Sequence, residues 1–118
     1  MLLIKNNTMI GQLLLGGFFL ITGVNHFAKI KPMTSYAKSK KVPSPRGAVI
    51  LTGLMLIVGG LGILTGVFVL AKLVLLTFLI PTSFVMHRFW DIEDKKEKRE
   101  QMLFFMYNMA LVGALLLI

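Results

Sequence analysis

Residues 48–90, AVILTGLMLIVGGLGILTGVFVLAKLVLLTFLIPTSFVMHRFW, carry one charge, Lys72, before Arg88 is reached. As helix, rising about 1.5 Å per residue, this stretch is roughly twice as long as the hydrocarbon core of a bilayer is thick. It therefore reads as two membrane spans back to back, at residues 48–70 and 73–90, with a tight turn near residues 69–72. Backbone polar groups have no water to bond in lipid, so helices are the expected form.

Outward from this pair the pattern repeats. Upstream, MIGQLLLGGFFLITGVNHF (residues 9–27) makes a first span, and downstream the residues 102–118 make a fourth. The start could pass for a signal peptide, but the small-residue cleavage site is missing and three more spans follow, so it reads as a retained helix. The fourth span is only about 26 Å long by helical rise and ends on LLLI, which calls for tilt, local thinning or a helix starting before Gln101. Composition agrees: 118 residues, 56% hydrophobic, 15% charged, mean hydropathy +0.80. One domain of this size leaves nothing outside the membrane large enough for a soluble core. The expected fold is all-α, a polytopic membrane four-helix bundle. There is no cysteine, which removes disulfides, thiol redox chemistry and thiolate metal ligands.

The connections are polar. In KIKPMTSYAKSKKVPSPR, Pro45 disfavours helix at Ser44, so span two should start near residues 46–48, and one interfacial turn can form around Met33, Tyr36 and Ala37. Pro81 frees the carbonyl of Thr77 and should kink span three. DIEDKKEKRE (91–100) mixes charges as a solvated extension does. Lys29, Lys31, Lys38, Lys40, Lys41 and Arg46 fill the first loop, and Arg88, Lys95, Lys96, Lys98 and Arg99 flank the third, against Lys5 and Lys72 on the other side. The positive-inside rule makes both long loops cytoplasmic and places both termini on the non-cytoplasmic side. The net charge of +8 is thus a topology signal that also attracts anionic lipid headgroups. A nucleic acid is not the expected partner, because the basic loop has one aromatic and no recognisable binding module.

Small residues are the expected packing device inside lipid. Thr52, Gly59, Gly62 and Gly66 form one stripe in span two, with further close-approach points at Gly16, Gly17 and Gly23 and at Ala110, Gly113 and Ala114. Intramolecular packing is the first reading of that stripe and a homo-oligomer the second.

Spans one and three each end in a histidine on the basic side, His26 and His87. Thr22 and Ser83 lie one turn deeper, Asp91 one turn shallower, and Asn108 enters span four at matching depth. With Asn25 and Arg88 these residues can line one polar pocket. The alternative is interfacial: Tyr36, Phe89 and Trp90 suit an aromatic belt, and Arg88 can snorkel or pair with Asp91. Ser83, His87 and Asp91 have the residue types of a hydrolytic triad, but on one helix and without an oxyanion hole, so no catalytic residue is expected. No metal set stands out. Two histidines at one depth can in principle ligate haem, with nothing else to specify it. A quinone asks only for one or two hydrogen-bonding groups at the membrane edge.

As a set, Gly23-x-Asn25-His26-Phe27, Tyr36, Pro43, the GGLGILTG run from Gly59, His87-Arg88-Phe89-Trp90 and Tyr107-Asn108 resembles the DoxX family over nearly the whole chain. That resemblance implies a small, multi-pass four-helix protein of the prokaryotic plasma membrane. Some relatives are linked to quinone-coupled sulfur oxidation and others to assembly of membrane-associated redox complexes. It also implies that His26, His87, Arg88, Trp90 and Asn108 are positions to carry over. Many members have a glutamate before the paired glycines of span two, where this chain has Leu56, with Met55 beside it. The expected role is a non-catalytic accessory or assembly subunit that needs no cofactor of its own and works beside a membrane-protein partner. The alternatives are a quinone-interacting subunit of an oxidoreductase and a small-solute carrier.

Overall fold

The structure is a computed structural model that describes residues 2–118, with side chains from Thr8 onward. Lys5, one of the two basic residues expected on the non-cytoplasmic side, lies outside the described side chains. Five helices follow one another: α1 (Leu2–Ala28), α2 (Ile30–Ser39), α3 (Pro45–Leu64), α4 (Phe68–Met86) and α5 (Lys95–Leu117), with a 3-10 turn at Phe89–Asp91. All but α2 are long and apolar enough to cross a membrane, and no strand occurs among the described residues. The chain is an all-α polytopic membrane bundle.

Several boundaries differ from the sequence reading. The turn between the second and third spans lies at residues 65–67 rather than 69–72. The Gly66 amide bonds Ile63 O and the Val67 amide bonds Gly62 O, which makes a Schellman cap around a left-handed Gly66 (φ +84°). Glycine takes that conformation without a Cβ penalty, so the helix stops there although the apolar run continues. Gly66 thus leaves the expected packing stripe. The single interfacial turn of the first loop is a ten-residue helix, α2. The short fourth span is resolved by an early start: the Asp94 carboxylate accepts the Glu97 amide at 2.9 Å, capping a helix that begins at Lys95. Helix α4 runs through Pro81 as one element.

The long helices pack in the order α1, α3, α4, α5. The α1/α3 seam is antiparallel and built on glycines two turns apart on each helix. A side chain on Gly60 would start 2.7 Å from the Leu20 amide nitrogen and 2.8 Å from Gly16 O, and one on Gly23 would start 2.9 Å from Gly53 O. The opposite flank of α3 presents Gly59 to Leu75, and Gly62 to Ala71. Span two is therefore a spine with two glycine faces, of which the sequence stripe captured one. Thr52 is not part of that packing; its hydroxyl is used by His26, as described below. Gly17 and Gly113 meet open space and Ala110 is exposed.

The core is Phe19, Leu56, Ile63, Ala71, Leu75, Leu79 and Leu115. Among the described residues α1 and α5 share no packed seam, so the row of helices curls without closing. Both basic loops lie at one end, and at the other Lys72 donates to Ile118 O at 3.2 Å.

Candidate functional site

At the basic end the unclosed row surrounds a cavity of about 580 Å3, a volume within the range of ordinary ligand sites. Four elements bring polar groups to its wall: α1 (Thr22 and His26), α3 (Thr52), α4 (His87 at its end) and α5 (Asn108). Helix α2 lies over the mouth with Met33, Tyr36 and Ala37, beside Lys29. Thr82 on α4 adds one more hydroxyl, and the remaining wall is apolar, including Phe18, Phe78 and Leu56.

Each imidazole is held through Nδ1. In His26 this atom lies 3.1 Å from Val49 O and 3.2 Å from Thr52 Oγ1. The Thr52 hydroxyl donates to Ala48 O at 2.7 Å, so its oxygen is an acceptor for His26 and the ring proton sits on Nδ1. In His87, Nδ1 lies 2.8 Å from Gln101 Oε1, again as the donor. Both rings therefore carry their lone pair on Nε2, and neither Nε2 has a protein partner among the described residues. His26 meets Phe78 edge-on, and His87 leans against Phe104. Thr22 donates to its own helix at Phe18 O. The Asn108 carboxamide has no protein partner among the described residues, although it stands within a membrane span.

Gln101 is buried and joins two elements of the wall. Its oxygen receives His87, while its side chain also bonds Tyr36, whose hydroxyl donates to Met86 O at 3.1 Å. Burial raises the Tyr36 phenol above its ordinary value, the Gln101 bond opposes this, and the Glu97 charge adds to it. Tyr36 is thus a latch between α2 and the α4 terminus as well as an aromatic at the interface. Phe89 and Trp90 instead join Phe84 and Phe105 in a four-ring cluster outside the cavity.

Other expected pocket residues lie elsewhere. Ser83 continues the buried stripe of Ala71, Leu75 and Leu79, and its hydroxyl is spent on Leu79 O at 2.7 Å. Arg88 and Asp91 form an exposed pair at 3.9 Å, and Asn25 is off the wall. No triad forms, because Ser83 faces the core and His87 Nδ1 is given to Gln101 rather than to Asp91. Among the described residues no cluster of metal-ligating side chains occurs. The sequence reading missed Thr52 and Gln101 as partners of the histidines. Gln101 had a signal, a carboxamide at the start of an apolar run, whereas Thr52 was absorbed into a packing stripe. Leu56, where a glutamate is common in the resembling family, is fully buried on the cavity wall one turn beyond Thr52.

The DoxX family model matches residues 8–88, which hold α1 from Thr8 onward, α2 to α4 and both histidines but neither Gln101 nor Asn108. No curated protein and no solved structure matches the chain.

Proposed function

The chain belongs to the DoxX family, and from that premise we propose that it is a non-catalytic accessory subunit of a membrane-associated redox complex, holding the head group of a lipophilic molecule in its cavity. It would sit in a prokaryotic plasma membrane with the basic end toward the cytoplasm, as the distribution of lysine and arginine favours. The observation that carries this reading is the meeting of two imidazoles with uncommitted Nε2 atoms and the unpartnered Asn108 on one cavity. Polar groups placed at membrane depth without protein partners are suited to a ligand or a partner subunit. The hydroxyl beside an imidazole, Thr52 against His26, gives its proton to Ala48 O and is not activated as a nucleophile, which favours binding over turnover.

A quinone is the second reading. Its carbonyls accept hydrogen bonds, for which the Asn108 amide on α5 is a donor, while the Nε2 acceptors of His26 on α1 and His87 on α4 suit the hydroxyls of the quinol form. As a quinone-interacting subunit of an oxidoreductase the chain would take its electrons from a partner.

Isolation from native membranes in mild detergent, followed by solvent extraction and mass spectrometry, tests both. The accessory reading expects co-isolated membrane proteins and an extractable lipophilic molecule, both reduced in Asn108→Ala and His87→Ala. Retention of both, unchanged in the two variants, defeats it. Quinone in the extract that disappears in His26→Ala selects the second reading.

A further inference from the structure

The open side of the bundle holds more than the cavity at the basic end. A second space of about 700 Å3 lies toward the other end, walled by Leu14, Leu15, Phe68 and Leu117, and Phe18 and Leu111 line both. Together the two spaces follow the gap in which α1 and α5 do not pack. Along α1 they reach from Thr8 past His26, about 30 Å by helical rise, the full thickness of the hydrocarbon core. An acyl chain of an ordinary phospholipid belongs to one leaflet, about half that depth. Filling this groove from end to end takes a longer chain.

The basic end has a charge preference. Lys29 is on the wall, and no Asp or Glu side chain lines either space. Among the described residues the one ion pair is Arg88 with Asp91, so the cations of residues 29–46 have no acidic partner there. An anionic head group is drawn to such a mouth, where the Lys29 ammonium and the Asn108 amide are the available donors.

We propose that the groove binds a long polyisoprenoid chain ending in a phosphate, with the phosphate near Lys29 and His26 and the chain running between α1 and α5 past Phe18 and Leu111. This rests on the reading of the cavity as a site for a lipophilic molecule, and names the class of that molecule. Phe18 and Leu111 form the neck: a short chain stops before it and a long one passes.

The test is competitive binding to the full chain in nanodiscs, read by native mass spectrometry. The probes are a long-chain polyprenyl monophosphate, farnesyl phosphate, phosphatidylglycerol, a long-tailed quinone and inorganic phosphate. The long polyprenyl phosphate is expected to bind about tenfold tighter than any other probe, a difference of roughly 1.4 kcal/mol. Leu111→Trp, which fills the neck, should bring the long chain down to the affinity of farnesyl phosphate. Lys29→Gln, a change at an exposed residue, should weaken both phosphates and leave the preference for length intact. Equal binding of phosphatidylglycerol, or full competition by inorganic phosphate, overturns the proposal. So does preference for the quinone, although the cavity then still holds a lipophilic molecule. Binding of no probe removes both this proposal and the reading beneath it.

Discussion

Helix α1 meets the rest of the molecule along two faces in opposite ways. On one, Gly16 and Gly23 let the backbone of α3 come so close that no Cβ fits between them. On the other, Phe18 and Thr22 look across open space toward α4 and α5, and His26, tied to α3 through Nδ1, lines the same cavity. Lipid is as apolar as the helices, so helices adhere where their backbones can approach and stay apart where they cannot. The glycine seam therefore decides which side of the bundle closes. The side it leaves open holds the Nε2 atoms of both histidines and the Asn108 carboxamide, none with a protein partner among the described residues.

The largest effect should come from breaking the seam. Gly60→Leu places a side chain against the backbone of α1 rather than against a flexible neighbour, and is expected to cost about 3 kcal/mol or to prevent folding, as measured by denaturant unfolding in detergent. Wild-type stability in this variant would mean that the close approach does not hold the bundle together. On the open side the sign should reverse. Asn108→Leu removes an unpartnered carboxamide and should raise stability by about 1 kcal/mol while reducing ligand retention. A loss of stability would show that Asn108 serves the fold instead.

Tyr36→Phe deletes the hydroxyl that ties α2 to Met86 O across the mouth, and should cost about 1 kcal/mol. It should also alter the alkaline limb of stability. The Tyr36 value is raised in the folded state, chiefly by burial, so the unfolded chain loses this proton first, near the ordinary 10.0. Its contribution is full below pH 10 and declines as pH climbs from there through the raised folded value. The wild type should therefore lose its advantage over Tyr36→Phe above pH 10, and a constant difference across that range would refute the assignment. The smallest effect is expected at Gly17, on the same helix but facing open space: Gly17→Ala should change stability by no more than about 0.5 kcal/mol. A large loss there would mean that another surface covers this face in the membrane.

The four spans were legible because the bilayer imposes a length and an apolar composition that each helix must satisfy by itself. The ends were less so. Hydropathy runs straight through Gly66, and only the cap geometry shows that α3 stops before it, while the Asp94 cap starts α5 in a charged stretch that hydropathy excludes. For the pocket, matched depth along separate helices was enough to group Thr22, His26, His87 and Asn108. Depth says nothing about rotation, which is why Ser83, one turn from His87, could be counted with them while facing the core. The glycines of α3 divide likewise: Gly59 and Gly60 are neighbours in the chain and serve opposite seams.

The amino-acid sequence by itself determined that the chain is a multi-pass helical membrane protein, that its basic loops share one end, and that two histidines lie at one level with an asparagine about one turn deeper, since all three depend on residue type and on distance along a helix. Tertiary structure alone decided which helices pack, that α1 and α5 share no packed seam, and that Thr52 and Gln101 hold the imidazoles. Those depend on the rotation of each helix about its axis, which is set by pairwise backbone approach across the bundle and not by any one span.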